Sequence, residues 1–369
     1  MLMAWSIMEV IARNWAMVAI ISTIVILVVI PILVLLKYVR ISLNIMRTTK
    51  PPLARGPLDF ERMLGEPVTF PALDGLPLSG MLLRARGAAR KGLIVFAHEF
   101  CSDMYSCARY CRPLVERGYD ILTFDFRGHG RSDCPPGYVP RQWVTDRELA
   151  DMRGAVAFAE NWLAEQGRAI ELGLFGISRG ACAAILVAAE NRRVAALAVD
   201  GAFSTDTTIE YFMRRWAYIF TSMRFAYENY PTVFWRFLRA WMIYFARREF
   251  GCRFPSVRKA IARMAPRPML FIHGEKDSYL PVEQSRKLYV LAGQPKFLWV
   301  APGARHNQAV VLHAERYSDL TVSFFDRYLG SEDRGAPTAA RPTSLFARGS
   351  TPVTGVPAAA SGSDAAVAP

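Results

Sequence analysis

Ser178 stands between Gly176 and Gly180 in the stretch LFGISRGACAA, directly after the apolar run IELGLFG and at the head of the helix-forming stretch SRGACAAILVAAE. A serine hydroxyl is a weak nucleophile at neutral pH, so chemistry here needs a base to take its proton and a carboxylate to orient that base. Flanking glycines suit a turn too crowded for side chains, which is what a strand-to-helix corner presenting a hydroxyl demands. The chain holds five histidines, His98, His129, His273, His306 and His313. His98 and His273 end apolar runs and His129 lies in DFRGHGRS, positions that read as loop supports. His306, in PGARHNQ just after KFLWVA, is the leading base, and His313, at the start of the last helical stretch, ranks second. For the acid, Asp277 in HGEKDSYLP leads, with Asp200 and Glu275 as alternatives. The order Ser178, Asp277, His306 puts nucleophile, acid and base on three loops that each follow an apolar run. Asp125 and Arg127, in DFRGHG, read as groups that pin a turn.

Positioning those loops requires a rigid scaffold, and the sequence supplies its pattern. EPVTFPALDGLPLSGMLLRA reads as two strands joined by a turn. Then GLIVFA, YDILTF, IELGLFG, VAALAV, RPMLFIHG and KFLWVA are short apolar runs without polar alternation, the mark of strands covered on both faces. Helical stretches separate them at Met104–Arg117, Asp146–Glu165, Ser178–Glu190, Pro281–Leu291 and His313–Tyr328. Alternation of this kind specifies an α/β fold with a mostly parallel sheet between helices, whose ligands gather at the carboxyl ends of the strands.

FAHEF, FDFRGHGRSD, FGISRG, IHGEKDSYLP and GARHN together resemble the α/β-hydrolase superfamily, in particular its serine aminopeptidase and monoacylglycerol lipase-like branch, over Pro67 to about Leu329. The resemblance implies an α/β-hydrolase fold, a helical cap over the site, and an oxyanion hole made by the backbone N–H groups of Phe100 and Arg179. It also exposes a departure. Glycine usually follows the strand-end histidine in these proteins, whereas this chain has Glu99. A carboxylate aimed into the hole would oppose the developing oxyanion, so Glu99 must point elsewhere or read a substrate amine. Arg179 is expected either as an exposed side chain at the helix start or as a clamp for a substrate anion.

With 369 residues, 52% of them hydrophobic, the chain can bury a full-sized core. Composition divides it into an apolar segment 1–40, a basic linker 41–65, a main domain 66–330 with a cap at about 205–265, and an Ala/Pro/Gly/Ser-rich tail 331–369 expected to be disordered. Trp15–Leu36 carries no charge, and as one helix of about 33 Å would cross a bilayer core of about 30 Å. A single N-terminal transmembrane helix is therefore expected. Lys37, Arg40, Arg47, Lys50 and Arg55 follow it before the first acid, which predicts a cytoplasmic main domain. The six cysteines form no CxxC pair and no metal-ligand spacing, so neither a metal nor an organic cofactor is expected.

Two segments carry most of the net charge of +13: the basic residues after the apolar segment and the cap. Tyr211–Phe250 combines arginines with 15 aromatic residues. Its aromatics either bury themselves within the cap or, as with Trp216, Phe220, Trp235 and Trp241, meet lipid headgroups. Glu99, Trp216 and Phe220 are the candidate substrate-facing residues. The expected activity is hydrolysis of an ester or related acyl bond on a small or lipid-like acyl substrate, through Ser178, His306 and Asp277. Amide or aminopeptidase specificity and a non-catalytic scaffold are the alternatives. The basic cap is not accompanied by any recognised nucleic-acid motif, so no nucleic-acid partner is expected.

Overall fold

Because GLIVFA and LGLFGI are apolar throughout, and YDILTF is so apart from Asp120 and Thr123, the strands they form can be satisfied only between two helical layers. The computed structural model describes residues 7–48, 61–86, 91–221 and 231–329, and within them one eight-stranded sheet has that arrangement. Its strands are β1 (Glu66–Pro71), β2 (Pro77–Leu83), β3 (Gly92–Ala97), β4 (Tyr119–Phe124), β5 (Leu172–Ile177), β6 (Val194–Asp200), β7 (Met269–Gly274) and β8 (Lys296–Ala301). They lie in the order β1-β2-β4-β3-β5-β6-β7-β8. β2 runs antiparallel to β1 and β4, and the remaining pairings are parallel.

Successive side chains of a strand leave on opposite faces, and β3 divides accordingly. Leu93, Val95 and Ala97 join one buried cluster and Ile94 and Phe96 the other. The helices preceding the cap are α1 (Ile7–Ile24), α2 (Ile30–Thr48), α3 (Cys107–Arg117), α4 (Asp146–Glu165) and α5 (Arg179–Glu190). Between β6 and β7 lie α6 (Thr205–Thr221), α7 (Thr232–Phe250) and α8 (Val257–Arg263), where the cap was expected. The chain ends with α9 (Glu283–Leu291), α10 (Ala309–Leu312) and α11 (Ala314–Tyr328). Residues of α4, α5, α8 and α9 bury against the Leu93 side of the sheet, and those of α3, α10 and α11 against the Ile94 side. Thr145 starts α4 with a reciprocal cap, its side chain taking a backbone N–H of the first turn while Glu148 takes that of Thr145.

β3 and β5 are neighbours, yet the chain leaves β3 for β4 on one side and β5 for β6 on the other. The crevice at their carboxyl ends is thus a topological switch point, where open sheets of this kind bind ligands. Residue 98 onward and Ser178 both emerge there.

The N-terminal segment differs from expectation. In place of one span over residues 15–36, α1 ends at Ile24, five residues form a π-helical turn (Val25–Val29), and α2 begins at Ile30. Among the described residues no helix is long and apolar enough to cross a membrane, and the expected transmembrane span is not supported. Pro31 gives a local reason for the break: without an amide hydrogen it cannot close the usual bond to residue 27, and a widened turn absorbs the mismatch. Residues 41–48 of the expected linker are helical as well, because α2 runs to Thr48. Val39, Ser42 and Met46 are buried, α2 packs against α7, and Arg47 pairs with Glu249. Residues 49–60 of the linker and the whole 331–369 tail lie outside the described residues.

Candidate active site

Ser178 is the first residue past β5 and has φ 52° and ψ −112°, a conformation costing a side-chain-bearing residue about 1–3 kcal/mol that the surroundings must impose. They do so by contact. A Cβ on Gly176 would lie 2.6 Å from the Ala181 Cα, and one on Gly180 would lie 2.2 Å from the Ala97 carbonyl oxygen. Only glycine fits at either place. The Ser178 amide donates to the Asp200 carbonyl at 2.7 Å, which ties the turn to β6. Small residues on α5, Ala181, Ala183 and Ala184 among them, are fully buried and let the helix lie close to the sheet.

The other two residues converge on this corner. Ser178 Oγ lies 3.0 Å from His306 Nε2, and His306 Nδ1 lies 2.7 Å from Asp277 Oδ2. Asp277 is fixed by its own loop, with Oδ1 accepting from the amides of Tyr279 at 2.9 Å and Leu280 at 2.8 Å. Burial disfavours charge on Asp277, but hydrogen bonds from His273 and His306 outweigh that and hold its carboxyl well below the usual range. An ionised carboxylate only accepts, so the His306 proton sits on Nδ1 and leaves Nε2 free to accept from Ser178. Ser178 and His306 are 4% and 3% exposed, which limits competition from bulk water for both bonds.

The other candidates serve as supports. His98 accepts the Phe126 amide at Nε2 and donates from Nδ1 to the Glu99 carbonyl at 2.7 Å. It stays neutral, pushed down to about 3 by burial and by the Arg179 charge, and it braces the backbone leading to Phe100. His129 donates to the Arg127 carbonyl. His313 hydrogen-bonds the Pro302 carbonyl from an exposed position, and Glu275 accepts the Gly303 amide. Asp200 accepts from the Tyr317 hydroxyl. Asp125 pins its turn by accepting from the amides of Met104 and Arg131, and Arg127 is locked between Asp151 and Asp74.

Two expectations about substrate-facing groups change. Arg179 is neither exposed nor a clamp: its side chain is fully buried between the rings of Phe100 and Phe126, donates to the Arg141 carbonyl, and faces Glu148 at 3.9 Å. Trp235 is 3% exposed beneath the Arg214 guanidinium and so does not reach outward to headgroups. Trp241 is partly buried against Phe237 and Phe245. Trp216 and Phe220 belong to α6, but their side chains fall outside the described residues. Glu99 turns inward, where Ser106 Oγ approaches Oε2 at 3.4 Å, and burial raises its carboxyl above the usual range.

Arg179 opens α5, and amides in the first turn of a helix have no intrahelical acceptor. Its N–H and that of Phe100, which follows β3, are the groups that the resemblance assigned to an oxyanion hole. Sequence reasoning missed Asn307, which has φ 56° and buried side-chain amide atoms without hydrogen-bond partners beside His306. It also missed Ser285 and Tyr317, which meet the site only through tertiary packing. Among the described residues, no group of His, Cys, Asp and Glu side chains could hold a metal.

Comparison with known proteins bears on the fold. The family model Hydrolase_4, serine aminopeptidase S33, matches residues 88–228. The uncharacterized protein YfhR of Escherichia coli K12 is 26% identical over 265 residues, covering 70% of this chain and 80% of YfhR. The Pyrococcus furiosus esterase Pf2001 superposes with a TM-score of 0.51 at 22% identity, covering 76% of this chain and all of that one. The fold is that of an α/β-hydrolase. The α/β-hydrolase GrgF from Penicillium sp. sh18 superposes equally well, TM-score 0.51 at 20% identity over 74% of this chain. In an α/β-hydrolase sheet the corner after β5 and the loops after β7 and β8 share one edge, which is why Ser178, Asp277 and His306 meet although far apart along the chain.

Proposed function

We propose that the protein is a serine hydrolase that cleaves an ester or related acyl bond. One observation carries the reading: an unbroken chain of hydrogen bonds from Ser178 Oγ through His306 to Asp277. His306 Nε2 takes the Ser178 proton as Oγ attacks the acyl carbon, and Asp277 stabilises the imidazolium that forms. The tetrahedral oxyanion is received by the N–H groups of Phe100 and Arg179, each worth about 3 kcal/mol. His306 then protonates the leaving group, an acyl-Ser178 ester remains, and water activated by the same imidazole hydrolyses it. The aromatic cap between β6 and β7 favours an apolar acyl group.

A series of 4-nitrophenyl esters of increasing acyl length, run beside an aminoacyl anilide, tests the reading. Faster turnover of the esters with a preference for acyl chains longer than acetyl is expected. Turnover of the anilide alone would contradict the choice of an ester, and turnover of neither by folded protein would contradict hydrolysis of these acyl classes.

A further inference from the structure

Asp277 meets two histidines. Its Oδ2, 2.7 Å from His306 Nδ1, is also 3.3 Å from Nε2 of His273, the fully buried residue near the end of β7. The protons on His273 can be counted. Nε2 lies 2.8 Å from the Leu280 carbonyl oxygen, and a carbonyl only accepts, so Nε2 carries a proton. Nδ1 lies 2.8 Å from Ser285 Oγ on α9. That hydroxyl has a single proton and also lies 2.9 Å from the Ala202 carbonyl oxygen, which only accepts. With the proton placed on that carbonyl, Ser285 accepts from Nδ1, both ring nitrogens of His273 are donors, and the imidazole is a cation.

We propose that His273 is a resident imidazolium that grips Asp277 beside His306, and that its positive charge sets how basic His306 is. Burying a lone cation is costly, but this one is compensated. The charged and titratable groups around it are Asp277 on the following loop, Asp200 at the end of the adjacent β6, His306 after β8, and Tyr317 on α11, which donates to Asp200 at 3.0 Å. Burial pushes His273 down, but the hydrogen bond and charge of Asp277, the Leu280 carbonyl and the Asp200 charge together leave it above the ordinary histidine value. Asp200 is pushed up to about 6 by burial against the Tyr317 hydrogen bond, so it is ionised at neutral pH.

The consequence for catalysis rests on the hydrolase reading, whereas the charge itself rests on geometry alone. A carboxylate that answers to one cation gives less to a second. While His273 is charged, Asp277 stabilises a protonated His306 less, and His306 releases its proton to the leaving group more readily. His273 is thus a positioning and tuning residue that touches no substrate.

The full chain with 15N-labelled histidine tests the charge by NMR at pH 7. One of the five histidines should show both ring nitrogens in the protonated range, and His273→Gln should remove that signal. Five neutral rings in the wild-type protein would overturn the proposal without any variant needing to fold. Ser285→Ala removes the acceptor for Nδ1–H, so the signal should lose its proton at lower pH than in wild type. An unchanged titration would show that the Ser285 contact does not support the charge.

The tuning is read from the pH dependence of the rate of fluorophosphonate labelling. In His273→Gln the acidic limb should move to higher pH, and an unmoved limb in a folded variant would overturn the effect on basicity. Absence of labelling at every pH would contradict the hydrolase reading instead, and the NMR result would still decide the charge.

Discussion

Gly180 lies so close to Ala97 that a single added methyl would sit 2.2 Å from the Ala97 carbonyl oxygen. This contact joins the start of α5 to the end of β3, so the helix bearing the Arg179 amide and the loop bearing the Phe100 amide are held at a fixed distance. Neither the carbonyl nor the methyl can rotate away. Gly180→Ala should therefore lower stability by about 1–3 kcal/mol, the usual cost of overpacking, and should slow acylation more than tenfold by displacing the N–H groups proposed to receive the oxyanion. A urea midpoint and a burst-phase rate check both, and an unchanged midpoint would show that the helix shifts freely.

Asp277 fixes the His306 tautomer through Nδ1–H. In Asp277→Asn the amide group presents its nitrogen or a weaker oxygen to that site, and the imidazole loses both orientation and charge stabilisation. A fall in kcat of about 10⁴-fold is expected from the behaviour of such relays, with KM changed far less. A loss of under tenfold would point to another carboxylate, and Asp200→Asn would then be the variant to compare.

Acid should weaken the fold through the same residue. The Asp277 carboxyl is held below its ordinary value, so its contribution is fully present above the unfolded aspartate value and is lost as pH falls through that value toward the folded one. The stability gap between wild type and Asp277→Asn should shrink as pH drops below about 4. Thermal melts at pH 7 and pH 3 measure it, and a gap that widens on acidification would contradict the assignment.

Glu99 has the opposite sign. Burial raises its folded value above the ordinary one, so the folded protein binds this proton more tightly, and stability declines as pH rises from the unfolded glutamate value to the folded one. Glu99→Gln should therefore gain on wild type as pH rises, seen as a growing difference in melting temperature between pH 5 and pH 8. A constant difference would mean that the carboxylate is paired well enough to ionise freely.

Arg127 of the loop after β4 and Asp151 of α4 form a fully buried ion pair. Removing Asp151 leaves the buried Arg127 with Asp74, whose side chain is 45% exposed, as its remaining carboxylate, at a cost of up to about 3–5 kcal/mol. Asp151→Ala should lower the unfolding free energy from urea titration accordingly while leaving the pH profile of labelling unchanged in protein that remains folded. A shifted profile would connect this pair to the chemistry.

Much of the scaffold was legible because its strands are short, mostly apolar runs separated by helical stretches. GISRG marks the corner at Ser178. His306 and Asp277 were legible because few histidines compete and each follows an apolar run. Arg179 was misread because its place at the head of a helix suggests exposure, whereas tertiary packing folds the guanidinium back between Phe100 and Phe126. For Trp235 the sequence left burial within the cap and contact with headgroups both open, because aromatic content does not reveal which face of a cap helix turns inward. The helix break at residues 25–29 follows from one missing amide at Pro31, which an average over an apolar window conceals. Ser285 and Tyr317 carry no motif, and their place beside His273 and Asp200 exists only once α9 and α11 have packed on the sheet.

The central claim is that the Ser178 hydroxyl is activated by His306, and fluorophosphonate labelling of the full chain followed by peptide mass spectrometry tests it most directly. The account predicts one adduct, on Ser178, formed at neutral pH in wild type and absent from folded Ser178→Ala. Folded wild-type protein that takes no label, or a label that persists in Ser178→Ala, would contradict it.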